Sequence, residues 1–148
     1  MKSSHVAGIT AALAVTATLF SASPAEAASS VQIYRVYYDS PGSDNRSNAS
    51  LNAEWVQIVN RGSTSRSLTG WKLRDRTGYT YTFGSFRLGA RKTVYVHTGR
   101  GTDTTKNRYW GRRAYVWNNT GDTAYLRSSS GSLIDKCSWG SSGSSRYC

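Results

Sequence analysis

The stretch EWVQIVN, residues 54–60, alternates side chains of different character and stops at a turn around Gly62. Such period-two alternation predicts a half-buried β-strand, with either Trp55 or its neighbours Val56 and Ile58 facing the core. The same period recurs along the rest of the chain, and no segment shows a convincing helical stripe. The sequence therefore predicts an all-β protein.

About eight short strands are expected, separated by turn signals. They fall at residues 31–38, 54–60, 68–75, 79–83, 93–98, 114–118, 124–127 and 133–137. The residues between the first two strands and the segment 99–113 are expected to be long loops, and residues 141–148 a flexible Ser/Gly-rich tail. Periodicity alone leaves two architectures open, a β-sandwich and a β-barrel.

Four strings in a fixed order narrow that choice. They are EWVQIVN, GWKLRD at residues 70–75, the pair Thr98 and Gly99, and VWNNTGD at residues 116–122. In combination they resemble the lamin tail domain over roughly residues 31–139. The resemblance implies an immunoglobulin-like β-sandwich, assigned here to residues 28–140, that acts as a binding and packing module. Nuclear filament assembly does not carry over, since this chain has no coiled-coil rod.

The N-terminal region reads as an export signal. Lys2 precedes an apolar stretch at residues 6–20, and the small-residue motif that ends in Ala25, Glu26 and Ala27 predicts cleavage after Ala27. A membrane anchor is the alternative, but 15 apolar residues fall short of the roughly 20 that span a bilayer. We expect a secreted, extracellular or cell-wall-associated protein that is monomeric and has no membrane span.

The mature chain, residues 28–148, is strongly basic. Loss of Lys2 and Glu26 leaves 18 Lys and Arg against 7 Asp and Glu, so the net charge stays at +11. A potential of this size attracts polyanions such as nucleic acid, anionic cell-wall polymers or acidic lipid head groups, without choosing among them. The alternative is that the charge only keeps a secreted domain soluble.

Two cysteines, Cys137 and Cys148, are present, and both lie in the mature chain. In an exported protein such a pair predicts a disulfide, which would hold the tail on the domain. A zinc site is not expected, because the pair lacks CxxC spacing and His97 is the single histidine left after cleavage.

Cations and aromatic residues interleave in two places. In the strand 68–75, Trp71 and Leu73 share one face, while Lys72, Arg74 and Arg76 share the other. The second place is the predicted loop 99–113, which contributes Arg100, Lys106, Arg108, Tyr109, Trp110, Arg112 and Arg113. A surface that pairs phosphates and stacks rings needs these residue types, so both sets are predicted to bind a polyanion.

Catalytic chemistry is not predicted. A hydrolytic triad has one candidate base, His97, whose position at a strand end favours a structural role. The acids are scattered, and Glu54 and Asp75 are expected to hold loops instead of acting as a carboxylate pair. We therefore expect neither enzymatic activity nor a cofactor.

A metal site is not expected either, although one segment contains hard oxygen donors. Asp39, Asp44 and Asn45 are the candidates for calcium. They lack the spacing of a known calcium loop, and Asp and Asn also cap turns with their own side chains.

Three functions follow from these observations. The first is a secreted, non-catalytic module that binds extracellular DNA or an anionic envelope polymer. The second is a structural or adhesive protein that binds a protein partner. The third, a nuclease-associated factor, rests on the association of bacterial lamin-tail-like domains with nucleases.

Overall fold

The computed structural model describes residues 11–18 and 29–148. Residues 11–18 are exposed and have no regular secondary structure. The remainder of the predicted signal peptide, including its cleavage site, lies outside the described residues. Within the two described ranges, no helix has the length and apolar character needed to cross a membrane.

Eleven strands and one short helix follow in the described chain. They are β1 (Val31–Tyr37), α1 (Asn48–Asn52), β2 (Trp55–Asn60), β3 (Arg66–Ser67), β4 (Lys72–Arg74), β5 (Thr80–Thr82), β6 (Arg87–Leu88), β7 (Thr93–His97), β8 (Asn107–Tyr109), β9 (Asp122–Arg127), β10 (Leu133–Trp139) and β11 (Ser145–Tyr147).

Two sheets form the sandwich. The five-stranded sheet has the order β11-β1-β2-β7-β8, and the four-stranded sheet has the order β10-β9-β4-β5. Strands β3 and β6 form a separate two-stranded pair. All of the ladders are antiparallel except that of β7 and β8. The predicted all-β fold with an immunoglobulin-like sandwich is confirmed.

Alternation along each strand places the core between the sheets. In β2, Val56 and Ile58 are fully buried while Trp55 is only half-buried, so the aromatic residue faces outward. From the opposite sheet, Leu73 and Leu126 are also fully buried. Burial of each such aliphatic side chain contributes about 1.5 to 3 kcal/mol to folding.

A chain of aromatic rings crosses this core, each ring lying 4.8 to 5.9 Å from the next. In order, its members are Phe86, Phe83, Tyr81, Trp110, Trp117, Trp139 and Tyr38. Ring pairs at these separations attract one another beyond the effect of burial alone.

The predicted disulfide is present and joins the two sheets at one edge. Cys137 lies in β10 and Cys148 directly follows β11, with their Cα atoms 5.7 Å apart. The tail is therefore an ordered edge strand: β11 pairs with β1, and Tyr38 Oη donates to Ser142 O at 2.7 Å. The sequence prediction of a flexible tail missed this pairing.

Three further local predictions differ from the structure. Residues 114–118 do not form a strand, although Val116 and Trp117 are buried. The predicted loop 99–113 contains β8, which pairs with β7. The predicted loop after β1 contains α1, which begins where the Ser47 side chain accepts a hydrogen bond from Ser50 N.

Candidate anion-binding surface

The outer face of the four-stranded sheet carries the cations of the GWKLRD string. Leu73 points into the core, while Lys72 is half-buried and Arg74 is exposed on the other side of β4. Arg76 follows the strand and is exposed as well, and its backbone N–H donates to Asp122 Oδ1 at 3.0 Å. The alternation expected from the sequence is therefore present in the structure.

Strand pairing brings two further cations and one ring to this face. Lys72 lies opposite Arg127, and Arg74 lies opposite Tyr125, across the β4–β9 ladder. On the other side of β9, Lys136 lies opposite Tyr125. We call this set the cationic face: Lys72, Arg74, Arg76, Tyr125, Arg127 and Lys136.

Among the described residues, no acid forms an ion pair with the cationic face. Like charges directly opposite one another, such as Lys72 and Arg127, destabilise a sheet. Asp75 is the nearest acid along β4, but it is 2% exposed and its carboxylate is held in a turn. Among the residues described, the single ion pair joins Arg108 to Asp103, outside this face. A positive potential therefore remains along the sheet surface.

Asp75 shapes the turn between β4 and β5. Its Oδ1 accepts from the backbone N–H groups of Gly78 and Tyr79, both at 2.7 Å, and its Oδ2 accepts from Thr77 Oγ1 at 2.6 Å. A buried carboxylate is stable when it receives several hydrogen bonds in this way. The turn also brings the Arg74 guanidinium over Gly78, where a Cβ atom would lie 3.2 Å from an Nη atom.

Glu54 holds the irregular segment that was predicted to be a strand. Its Oε1 accepts from Thr98 Oγ1 at 2.6 Å and from the N–H groups of Val116 at 2.9 Å and Trp117 at 3.3 Å. Burial raises the pKa of this carboxyl from 4.5 to about 7, although the same three hydrogen bonds act to lower it. The expectation that Glu54 and Asp75 hold loops agrees with these contacts.

Asp122 completes the set by joining the irregular segment to β4. Its Oδ2 accepts from Asn118 N at 3.1 Å, and its Oδ1 accepts from Arg76 N. The side chain is 3% exposed. We call the three buried acids Glu54, Asp75 and Asp122, with the backbone that they bind, the tethered end.

Arg108 of the second predicted cluster is engaged within the protein. Its guanidinium lies 3.5 Å from the Asp103 carboxylate and 4.8 Å from the centre of the Phe86 ring. The side chain is 14% exposed. Burial raises the pKa of Tyr81, and a hydrogen bond from Arg108 opposes that shift. Arg108 therefore covers the edge of the core beside β8.

The two rings of this cluster also pack inward. Tyr109 stacks on His97 with ring centres 5.0 Å apart, and Trp110 packs against Tyr81 and Trp117 at 5.9 Å. One face of the Tyr109 ring thus lies against His97, and Trp110 is half-buried beside the core. The role of Tyr109 and Trp110 in polyanion binding stays a prediction.

The remaining cations of the cluster lie in separate places. Arg112 stacks over the Tyr79 ring at 4.0 Å, beside the turn that Arg74 reaches, and Arg113 is exposed next to it. Arg100 is exposed, and its backbone is held by Asn48 and Asn52 of α1. Lys106 lies in an exposed segment before β8. Arg112 thus lies beside the β4–β5 turn, whereas Lys106 lies at the entry to β8.

His97 has the structural surroundings expected from its sequence position. Its Nδ1 lies 2.8 Å from Asn52 O, and its Nε2 lies 2.8 Å from Asn107 Oδ1. Neither partner is a nucleophile or an acid. The geometry links α1 to β8 through the imidazole ring.

The calcium candidates take part in turn and loop contacts. Asp39 Oδ1 accepts from Asn119 Nδ2 at 3.1 Å, and Asn45 Oδ1 accepts from Ser47 N at 2.9 Å. Across residues 11–18 and 29–148, no group of three His, Cys, Asp or Glu side chains could hold a metal ion. The absence of a calcium site stays a prediction.

Two packed sheets, joined at one edge and tied at one end by buried acids, define an immunoglobulin-like β-sandwich module. A family model for the Lamin Tail Domain matches residues 24–141, and the chain belongs to that family. This confirms the resemblance seen in the four strings. A search of curated proteins finds no match. The family consists of binding and structural domains of immunoglobulin-like fold.

Proposed function

We propose that this protein is a secreted, non-catalytic module that binds a phosphate-bearing polyanion through the cationic face. The observation that supports this most is the set of four cations on two adjacent ladders, none of which forms an ion pair among the described residues. Placing Lys72 opposite Arg127 costs folding free energy. An anion bound across both side chains would remove that repulsion.

The chemistry of the face suits phosphate. Arg74, Arg76 and Arg127 present guanidinium groups, whose planar forks match phosphate oxygens. With Tyr125 and Asp75, these arginines border a shallow depression of about 250 Å³, which a bound polymer segment could cross. The Asp75 carboxylate is engaged by hydrogen bonds from the β4–β5 turn. Arg112 would lengthen the track at the β4–β5 turn. The ligand classes that fit are DNA and anionic envelope polymers such as poly(glycerol phosphate).

The non-catalytic part of the proposal rests on the contacts of the titratable groups. Glu54, Asp75 and Asp122 bind backbone N–H groups, and His97 lies between two amide oxygens. Each is therefore held by its structural partners. Secretion is supported by the N-terminal sequence and is compatible with the disulfide.

The decisive experiment measures binding to random-sequence duplex DNA and to poly(glycerol phosphate) over a series of salt concentrations. We expect the logarithm of the affinity to fall linearly with the logarithm of the salt concentration, by about 0.9 for each phosphate of duplex DNA that is contacted. The variant K72A/R74A/R127A should bind roughly 100-fold more weakly at low salt, and its slope should be smaller by about 2 to 3.

The matched control is R61A/R66A/K92A, which removes the same number of Lys and Arg residues elsewhere on the surface. It should change the affinity by less than about threefold, because net charge alone acts weakly at a distance. Equal losses in both variants would contradict a localised site. Retention that persists at high salt would instead indicate a protein partner, and cleavage of DNA in the presence of Mg²⁺ or Ca²⁺ would contradict a non-catalytic module.

A further inference from the structure

A cavity opens on the outer side of the five-stranded sheet, away from the cationic face. It lies between the β6–β7 turn and the segment that enters β8, and its volume is about 370 Å³. This size lies in the range of sites for small molecules. Its wall includes Arg87, Leu88, Lys92, Tyr95 and Lys106. We call it the edge cavity.

Both walls of the edge cavity are fixed by backbone contacts. Asn60 is fully buried, and its Nδ2 donates to the carbonyl groups of Leu88 and Gly89 at 3.2 Å, which holds the β6–β7 turn. On the other side, Tyr95 N donates to Lys106 O at 2.9 Å. A cavity with walls held in this way can bind a small ligand with little loss of conformational entropy, because its walls are already ordered.

Three cations from three separate segments meet at the edge cavity. Arg87 comes from β6, Lys92 from the turn before β7, and Lys106 from the segment before β8. The Nε atom of Arg87 donates to Ser65 Oγ at 2.9 Å, which fixes the plane of its guanidinium. Among the residues that the structure describes, no acid lines the cavity. This convergence favours a ligand with more than one negative charge, and a phosphate monoester carries −1.5 to −2 at pH 7.

The remaining wall is suited to a ring. The Tyr95 ring meets Trp55 edge-on, with ring centres 5.0 Å apart, and is thereby held upright beside the cavity. Leu88 also borders the cavity but is only 1% exposed, so the Tyr95 ring is the apolar surface that a ligand can cover. A ligand that carried phosphate alone would leave this ring in contact with water.

We infer that the edge cavity binds a small phosphate monoester whose organic part is a planar ring, with a nucleoside monophosphate as the representative ligand. The phosphate lies among Arg87, Lys92 and Lys106, and the ring packs beside Tyr95. This site is independent of the proposed polyanion surface, because the two share no residue and lie on different sheets.

The test follows amide signals of the purified protein by NMR while adenosine monophosphate, inorganic phosphate or adenosine is added. Adenosine monophosphate should shift the amides of Thr93, Tyr95 and Lys106 at concentrations at least tenfold lower than either fragment requires. A 5′-phosphorylated trinucleotide, titrated in parallel, distinguishes a free nucleotide from the end of a strand: saturation by both supports the strand end as a ligand, and saturation by the monophosphate alone supports the free nucleotide.

Two variants separate the edge cavity from the cationic face. K92A/K106A should weaken the binding of adenosine monophosphate more than tenfold, while K72A/K136A, with the same loss of charge, should leave it unchanged. Tyr95→Leu should reduce the affinity for adenosine monophosphate to that for inorganic phosphate, and Tyr95→Phe should preserve the difference.

Three results would overturn the inference. The first is equal affinity for adenosine monophosphate and inorganic phosphate. The second is shifts confined to β4, β9 and β10, and the third is equal losses in K92A/K106A and K72A/K136A. Because polyanion binding is measured separately with duplex DNA, failure here leaves that proposal unaffected.

Discussion

The tethered end and the cationic face use charge in opposite ways. Glu54, Asp75 and Asp122 are each no more than 3% exposed, and their oxygens accept hydrogen bonds from the backbone. Lys72 and Arg127, in contrast, lie side by side at the surface with no acid between them. The acid groups that serve folding are buried and hydrogen-bonded here, whereas the cations left for a ligand form no ion pair among the described residues, and their repulsion reduces stability. Mutations in the tethered end should therefore lower the free energy of unfolding, whereas removal of a cation from the cationic face should raise it.

The largest effect is expected at the tethered end. Glu54→Ala should lower the free energy of unfolding by about 4 kcal/mol at pH 5, because the buried N–H groups of Val116 and Trp117 would lose their acceptor. Urea denaturation measures the change. Glu54→Gln keeps an oxygen at the same position and serves as the control. An equal loss in both variants would show that the acceptor oxygen is not what holds this segment.

The pH dependence of stability gives the second test. Burial raises the pKa of Glu54 to about 7 in the folded protein, so between pH 4.5 and pH 7 the folded state keeps a proton that the unfolded state has lost. The free energy of unfolding should fall as the pH rises through this window, by up to about 3 kcal/mol. The difference between the wild-type protein and Glu54→Gln isolates this contribution. Parallel pH curves for the two proteins would contradict it.

Removal of the disulfide between Cys137 and Cys148 tests whether DNA binding by the cationic face depends on the joined edge of the sandwich. The variant C137S/C148S should lose about 3 kcal/mol of stability, because the bond closes a short loop in the unfolded chain. Affinity for duplex DNA should stay within about twofold, since β10 remains paired with β9. Thermal denaturation and DNA binding are measured on the same sample. A loss of DNA affinity together with the loss of stability would mean that the cationic face depends on the disulfide.

The smallest expected change in stability, at Lys72, distinguishes the cationic face from the tethered end most directly. Lys72→Thr should raise the free energy of unfolding by about 0.5 kcal/mol, because it removes the repulsion with Arg127 and introduces a residue that favours strands. The same change should weaken DNA binding roughly tenfold and reduce the salt slope by about 1. Arg66→Thr in β3 is the control and should alter neither quantity appreciably. Loss of stability in Lys72→Thr would contradict the idea that the face is strained by like charge.

Local alternation was enough to predict much of the fold and half of the cationic face. The period of two placed Leu73 inward and Lys72, Arg74 and Arg76 outward, because side-chain direction in a strand depends only on its neighbours in sequence. The four strings identified the family, and cysteine usage predicted the disulfide.

The contributions of Arg127, Lys136 and Tyr125 could not be found in this way. They reach the cationic face through the registers of β9 with β4 and β10, and register depends on contacts between residues far apart in the chain. The predicted strands 124–127 and 133–137 held the one available signal, since Arg127 and Lys136 lie at outward positions in them.

The missed elements share a physical cause as well. Val116 and Trp117 are buried like strand residues, but their N–H groups bond to the Glu54 side chain, so no ladder forms. The reverse holds for β8, whose sequence is polar but which pairs with the edge of β7. In both cases the destination of the backbone hydrogen bonds, which a sequence pattern does not contain, decides the structure.

The chain of rings that crosses the core has a practical consequence for measurement. Trp110, Trp117 and Trp139 are consecutive members of that chain, with rings 5.9 Å apart and strongly inclined to one another. Chromophores so close and so fixed couple their electronic transitions. The near-ultraviolet circular dichroism of this protein should therefore report the packing of one sheet on the other as a single signal. That signal should vanish as soon as the sheets separate, even where individual hairpins persist.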